Sequence, residues 1–234
     1  MCKVISIVNQ KGGCSKTTSA VNIGIGLANA GKKVVLIDAD AQGSLTASLG
    51  FQKPDELKVT LATIMAKTIN EEEIDLSKVI LHHEEGVDLV PGNIELSGLE
   101  VQLSNVLSRE LILKEFVDSL RDSYDYILID CAPSLGMMTI NALVAADEVI
   151  IPVQAAYLPV KGLQQLMKTI NMVKRRLNKK LQIDGILLAM VDYRTTFARN
   201  ISAELFAAYG ESVGIFENYI PSSIKAVEAS SAGI

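Results

Sequence analysis

Two lysines and a pair of glycines stand close together near the amino end of the chain, in the stretch VNQKGGCSKTT over residues 8–18. Such residues suit a polyphosphate, because the N–H groups of a glycine-bearing loop can surround phosphate oxygens and a following helix adds its positive end. In this arrangement Lys16 would contact the terminal phosphates and the Thr17 hydroxyl would bind magnesium. The alternative is a structural turn between a strand and a helix, with the lysines in solvent.

Two groups of carboxylates follow apolar runs that could place them beside this loop. Residues 33–37 lead into Asp38 and Asp40, and residues 126–129 lead into Asp130. An open α/β sheet binds its ligand at the carboxyl ends of its strands. An aspartate that ends an apolar strand is the Walker B arrangement, which holds magnesium through the metal's water shell. The alternative for the first pair is that it caps the helix expected over residues 45–49.

The elements that must position these groups are buried strands and covering helices. The apolar run over residues 4–8 is typical of a strand in a sheet covered on both faces. A helix-like pattern over residues 16–30 follows it, and residues 147–153 form another apolar run. A chain of 234 residues fits one large α/β domain spanning residues 1–234.

Composition limits the classes of function that remain. The net charge of −5 argues against a uniformly basic surface, so any DNA contact must come from a local patch or from patches summed over a dimer. The three cysteines have no metal-ligand spacing, no signal segment opens the chain, and no apolar run approaches the ~20 residues of a membrane span. These features predict a cytoplasmic location and no membrane partner.

The loop resembles a variant of the phosphate-binding motif. The generic pattern GxxxxGK[ST] fails here, because its glycine positions fall on Gln10 and Ser15. The residues Asn9 to Gly13 with Lys16 to Thr18 resemble instead the deviant Walker A box of the ParA/MinD family of ATPases, usually KGGxGKT[ST]. The chain departs from that box at Ser15, where the family has glycine.

Four further stretches resemble boxes of the same family in the same order. Residues 38–43 are similar to switch I, with Ala41 in place of the usual proline, and residues 126–136 are similar to switch II. Residues 190–194 and 220–233 resemble the segments that approach the adenine base. The resemblance implies a P-loop NTPase-like fold, with a doubly wound, mostly parallel sheet and helices on both faces.

The resemblance also implies roles for individual residues. Lys11 would cross a dimer interface to the partner's nucleotide, and Asp40 would orient the attacking water. Catalytic roles then fall on Lys11, Lys16 and Asp40, and magnesium contacts on Thr17, Asp38 and Asp130. Nucleotide contacts fall on Lys11, Gly12, Gly13, Cys14, Ser15, Lys16, Thr17, Thr18, Asp192 and Pro221. Candidates for DNA contact are Arg194, Arg199 and Lys225.

The residues around the boxes resemble the DNA-segregation (ParA/Soj) branch more than the membrane-bound division-site branch. That branch implies ATP and Mg²⁺ as cofactors, slow ATP hydrolysis, an ATP-dependent homodimer, non-specific DNA binding with a nucleoid-associated location, and a ParB-like stimulating partner. Ser15 leaves open a nucleotide-binding regulatory or scaffold protein with little hydrolysis. A MinD-like membrane-positioning ATPase is a third possibility, and it requires an amphipathic helix that the chain does not show.

A cluster of cations closes the helix expected over residues 158–177. Cations at the carboxyl end of a helix are favoured by its dipole, so a solvated face explains them without a ligand. The alternative is a patch for nucleic acid. The cluster consists of Lys174, Arg175, Arg176, Lys179 and Lys180.

Overall fold

The computed structural model describes residues 1–154 and 160–223. Its strands form one sheet in the order β3-β4-β2-β5-β1-β6-β7. Every neighbouring pair is parallel except β3 and β4, which are antiparallel. The strands are β1 Lys3–Ile7, β2 Val34–Ala39, β3 Leu81–His82, β4 Val87–Val90, β5 Tyr126–Cys131, β6 Glu148–Gln154 and β7 Gln182–Ala189.

Helices cover both faces of this sheet. Along β2, Val34 and Leu36 belong to one buried cluster, whereas Val35 and Ile37 belong to the other, as the alternation of side chains along a strand requires. The prediction of a doubly wound, mostly parallel sheet is therefore confirmed. The helices are α1 Lys16–Asn29, α2 Ser44–Ser48, α3 Leu61–Ile69, α4 Leu76–Val79, α5 Glu95–Leu103, α6 Ile112–Leu120, α7 Met137–Ala145, α8 Val160–Arg176 and α9 Thr196–Tyr209.

Two elements differ from the sequence pattern. The apolar residues 79–81 are typical of a short strand, but the one-turn helix α4 ends at Val79 and β3 begins only at Leu81. The Asp75 carboxylate caps the start of α4 by accepting from the Ser77 amide. Helix α9 was not anticipated, although the Thr195 hydroxyl caps it by accepting from the Ala198 N–H. In both places a capping residue inside a loop decides the local structure.

The order of the central strands brings the predicted chemistry to one place. Strand β5 lies between β1 and β2, with Asp130 in register with Ile7 on one side and Asp38 on the other. We call residues 8–18 the amino-terminal loop; it begins where β1 ends and includes the first three residues of α1. The loop and both carboxylates therefore meet at the carboxyl edge of the sheet, where such folds bind ligands. No helix within the described parts of the chain is long and apolar enough to cross a membrane.

Candidate functional site

The amino-terminal loop turns twice through left-handed backbone. Gly13 and Ser15 both have φ of 67°. Glycine adopts this conformation freely, whereas a residue with a side chain is strained there, so Ser15 is held by its surroundings. Its carbonyl accepts from the amide and the hydroxyl of Ser19, at 2.8 and 2.6 Å. At Gly12 no atom lies within 4 Å of where a Cβ would stand, so the backbone is open to a ligand.

Side chains close the loop on itself. The buried Asn9 amide donates to the Pro152 carbonyl at 2.7 Å, which fixes the end of β1 against β6. The same side chain accepts from the Lys11 N–H at 3.0 Å. The Lys11 carbonyl then accepts from the Lys16 Nζ at 3.1 Å and from the Cys14 thiol at 3.2 Å. The loop is thus held in shape by hydrogen bonds within the protein.

The two lysines of the loop have opposite environments. Lys16 is only 8% exposed and its ammonium points into the loop, toward the Lys11 carbonyl. The Lys11 side chain is exposed on the rim, and among the described residues nothing accepts a hydrogen bond from its ammonium. A cavity of about 470 Å³ opens beside Lys11, between the loop, residues 133–135 and the start of α8.

Asp130 offers one unpaired oxygen at the edge of this loop. The Thr17 hydroxyl donates to its Oδ2 at 2.6 Å, whereas Oδ1 is buried and has no partner among the residues that the structure describes. Burial, helped by the charge of Asp38, raises the pKa of Asp130 to about 8. Carboxylate and hydroxyl oxygens are ligands that Mg²⁺ takes, so Thr17 and Asp130 fit a site for that ion.

Asp38 is buried and fully engaged by the protein. Its Oδ2 accepts from the amide and the hydroxyl of Thr46, at 2.8 and 2.7 Å, and its Oδ1 accepts from the Asp40 amide at 3.2 Å. Burial raises its pKa to about 6, against the lowering effect of these bonds. Asp38 therefore caps α2 from the neighbouring strand, and a role in the magnesium shell stays a prediction. The half-buried Asp40 accepts from the Gln42 amide at 3.0 Å.

A second group of predicted residues lies at the β7 edge of the sheet, in what we call the edge segment, residues 191–194 and 219–222. Val191 and Pro221 form a parallel bridge, which places Pro221 next to Asp192. Arg194 donates to the Asp192 carboxylate through its backbone N–H, Nε and Nη2, at 3.1, 2.8 and 2.8 Å. These bonds lower the pKa of Asp192 to about 2.

A groove separates the edge segment from α1 and extends to the first residues of β1, β5 and β6, and none of the described residues that line it belongs to the amino-terminal loop. This groove of about 510 Å³ is lined by Ser19 and Asn22 of α1 and by residues 218–220. Arg199 is exposed, and its guanidinium donates to the Thr196 hydroxyl at 3.3 Å. Lys225 lies outside the described residues. The structure thus brings the loop and the central carboxylates together and sets the candidates for base and DNA contact apart from them.

Sequence reasoning missed three residues that contact the predicted site. Thr46 binds Asp38, and the Thr46 hydroxyl also accepts from the Gly92 amide at 3.0 Å. A Cβ at Gly92 would collide with the Asp38 backbone. Glu100 accepts from the Met138 amide at 3.2 Å, where α7 follows the loop after Asp130. The available signal was the glycine after Pro91 at the end of β4, and nothing local marks Thr46 or Glu100.

Comparisons with known proteins agree with this geometry. Residues 2–183 match the family described as an AAA domain. The chain is 41% identical over 233 residues to the sporulation initiation inhibitor protein Soj of Bacillus subtilis, covering 100% of this chain and 89% of that protein. It is 40% identical over 234 residues to the chromosome-partitioning ATPase Soj of Treponema pallidum, covering 100% and 88%.

A solved structure is similar over the whole described fold. It is that of cobyrinic acid a,c-diamide synthase from Mycobacterium smegmatis with bound ADP and magnesium. The TM-score is 0.89 at 35% identity, and the match covers 100% of this chain and 93% of that one. A second structure of the same protein holds an ATP analogue and magnesium.

Proposed function

The chain belongs to the family of the Soj and ParA partitioning ATPases, and from that premise we propose that it is an ATP-driven dimerisation switch that binds DNA. The observation that carries the proposal is the contrast between its two loop lysines. Lys16 is buried and points into the loop, while Lys11 is exposed on the rim. We infer that Lys16 would serve the protein's own nucleotide and that Lys11 would be free to contact a nucleotide bound by another subunit.

ATP would lie on the amino-terminal loop. The backbone N–H groups of residues 12–18 and the positive end of α1 suit the phosphates. The Lys16 ammonium, now satisfied by the Lys11 carbonyl, would exchange that bond for a phosphate oxygen. Asp192 and Pro221 would contact the base from across the groove that separates the edge segment from α1.

Thr17 and Asp130 would hold magnesium, with Asp38 as the predicted support of its water shell. The ion supplies neutralisation of the phosphate charge and a fixed orientation of the phosphates. The free Oδ1 of Asp130 supports this assignment, because a buried carboxylate oxygen without a donor is costly unless a ligand satisfies it. Asp40 would orient the water that attacks the terminal phosphate.

Hydrolysis would need a second copy of the chain. In a face-to-face homodimer, each Lys11 would neutralise charge on the partner's nucleotide, as an arginine finger does in trans. The exposure of Lys11 and the open cavity beside it support this role. A lone subunit would then hydrolyse ATP slowly, and a ParB-like partner would stimulate the dimer.

DNA would bind to exposed cations, and two surfaces offer them. The first consists of Arg194 and Arg199, with Lys225 outside the described residues. The second is the cluster at the end of α8, which lines a groove of about 790 Å³ through Lys174, Lys179 and Lys180. The turn after α8, which carries Lys179 and Lys180, is held against the end of α7. There the Asn178 side-chain amide donates to three carbonyls at 2.7 to 3.1 Å. Phosphate contacts of this kind carry no base sequence preference.

A DNA mobility assay over a salt series tests the proposal. We expect a shift that requires ATP and weakens as salt rises, and an Asp40→Ala variant that stays dimeric on ATP in light scattering. Replacing Lys179 and Lys180 by glutamine should lower the salt slope by about 2, roughly 1 per phosphate contact. The matched control replaces Lys32 and Lys58, which are also exposed, and should leave the slope unchanged. No ATP-dependent shift at any salt concentration would contradict DNA binding.

The strained Ser15 favours a second candidate, a nucleotide-binding regulatory protein with little hydrolysis. A hydroxymethyl group stands there in left-handed backbone, where the loop closes on phosphate. Phosphate release over time separates the two candidates. Stoichiometric ATP binding without multiple turnovers, in the presence of DNA, would favour the regulatory role.

A further inference from the structure

Helix α5 lies between the loops that follow β2 and β5, the strands that carry Asp38 and Asp130. It begins just after the turn that closes β4, and that turn contacts Asp38. Its last part carries Glu100, which contacts the start of α7, the helix that follows Asp130. The two loops belong to different strands, so this nine-residue helix is a direct physical connection between them.

The first contact is a close approach of backbone. A Cβ at Gly92 would stand 3.0 Å from the Asp38 carboxyl carbon, and nearer still to its backbone oxygen. The Gly92 amide donates to the Thr46 hydroxyl at 3.0 Å, and that hydroxyl donates to Asp38. The next residue, Asn93, is 1% exposed and accepts from the Thr60 hydroxyl at 3.2 Å. The turn is therefore fixed to Asp38 in β2 and to Thr46 in α2, which stand on either side of the loop that follows β2.

The second contact is a carboxylate at a helix start. The Met138 N–H, in the first turn of α7, is one of the amides that a helix cannot satisfy internally. It donates to the Glu100 Oε1 at 3.2 Å, and a negative charge there is favoured by the helix dipole. At Gly136 a Cβ would collide with the same Oε1 and stand 3.2 Å from the Glu100 carboxyl carbon. The glycine thus leaves room for this carboxylate.

The start of α7 in turn fixes the loop after Asp130. The Thr139 hydroxyl donates to the Ser134 carbonyl at 3.0 Å, and the Gly136 amide donates to the Ser134 hydroxyl at 3.3 Å. The same loop lines the cavity beside Lys11. A shift of the first turn of α7 would therefore move residues 133–135, which line this cavity.

We propose that Glu100 is a positioning residue for ATP hydrolysis, which holds the loop after Asp130 in register with the loop after Asp38. The inference rests on the proposed ATPase activity and adds a residue outside the nucleotide contacts. Within the described residues Glu100 makes no hydrogen bond to the amino-terminal loop, so its loss should act on the geometry of turnover and leave ATP binding intact. The register of the two loops matters because magnesium and the attacking water need both carboxylate ends at once.

Steady-state hydrolysis by four variants tests the inference. Glu100→Ala removes the carboxylate and Gly136→Ala displaces it, so each should lower kcat about tenfold, the effect of one lost charge-assisted hydrogen bond, with KM for ATP within about twofold. The double variant should be no slower than either single one, because both break one contact. Glu100→Gln keeps an oxygen acceptor and should restore most of kcat. The matched control is Glu95→Ala, which removes an exposed charge from the same helix.

A parental kcat in Glu100→Ala would overturn the inference, as would fully additive losses in the double variant. Amide hydrogen exchange at Met138 adds a readout that needs no turnover, and we expect faster exchange in Glu100→Ala. Unchanged exchange there would overturn the contact itself. If the parent protein hydrolyses no ATP while Met138 exchange responds as expected, the proposed function fails and the contact stands without its catalytic role.

Discussion

The amino-terminal loop and the edge segment are both predicted to contact one nucleotide, yet they are built differently. The loop follows β1, which pairs with β5 on one side and β6 on the other. Asn9 and Thr17 bind it through hydrogen bonds to Pro152 in β6 and Asp130 in β5. The edge segment follows β7, which is the edge strand of the sheet, and its two stretches are held together by the isolated bridge between Val191 and Pro221. Its charged pair, Asp192 and Arg194, is exposed and bonded to itself.

This difference separates a site that is formed in advance from one that must rearrange. In the loop, Lys16 and Thr17 already point to where phosphate and magnesium would lie, so little ordering remains when ATP binds. In the edge segment, the Asp192 carboxylate already accepts hydrogen bonds from Arg194, so it would have to exchange one of them before it could accept from a base. We therefore expect substitutions in the amino-terminal loop to change turnover or stability strongly and substitutions in the edge segment to change them little.

Lys11 is the exposed lysine of the amino-terminal loop, and its loss should produce the largest effect. Lys11→Ala should lower turnover by about 10³ to 10⁵, as removal of an arginine finger does, while ATP binding remains. Phosphate release and nucleotide titration measure the two quantities separately. The control Lys32→Ala removes another exposed lysine near the loop's helix. A Lys11→Ala variant with parental turnover would exclude a role in trans.

Burial of the Asp130 carboxylate should lower the stability of the nucleotide-free fold. The unfolded carboxyl ionises near pH 4, whereas the folded one keeps its proton until about pH 8. The native state thus binds more protons between these values, and the free energy of unfolding should fall as pH rises from 4 to 8. Asp130→Asn should reduce this slope, most clearly between pH 6 and 8, above the folded pKa of Asp38, and should stabilise the nucleotide-free chain at pH 8 by a few kcal/mol, measured by urea unfolding. The exposed Asp122→Asn is the control, and equal slopes would refute the burial argument.

The backbone strain at Ser15, whose φ is 67°, should have a smaller effect on stability than the burial of Asp130. Ser15→Gly should raise the free energy of unfolding by about 1 kcal/mol, because glycine adopts left-handed backbone without a steric penalty. Turnover should rise as well if the hydroxymethyl group crowds the phosphate. Ser108→Gly offers a matched control, since Ser108 also has positive φ, of 52°, but lies away from the loop. A gain in turnover in both variants would point to general stability as the cause.

Arg194 should give the smallest effect. Arg194→Ala breaks an ion pair whose guanidinium is exposed, so the unfolding midpoint should fall only slightly at neutral pH. The pKa of the Asp192 carboxyl should rise from about 2 toward its ordinary 3.8, which NMR titration can follow. The ion pair stabilises the folded state fully above the unfolded pKa of Asp192, 3.8, and this stabilisation is lost as pH falls through the folded pKa of about 2. Arg199→Ala, which leaves Asp192 untouched, should not shift this pKa.

The sequence predicted the parts of the fold and site that depend on local pattern. The apolar runs and the lysine-glycine stretch place the sheet and the loop, because burial and left-handed turns select those residue types. The contacts of Thr46, Gly92 and Glu100 could not be read in this way. Glu100 to Met138 and Thr46 to Gly92 are 38 and 46 residues apart, Thr46 to Asp38 is eight residues apart across a turn, and the residue types involved occur in any helix or turn. The inward direction of Lys16 likewise follows from packing around the loop.

The most direct test of the account is calorimetric titration of the chain with ATP and magnesium. We predict saturable binding of one nucleotide per chain, and its loss in Lys16→Ala, whose circular dichroism should match that of the parent. Absence of heat in the parent chain, or equal binding by Lys16→Ala, would contradict a phosphate site in the amino-terminal loop.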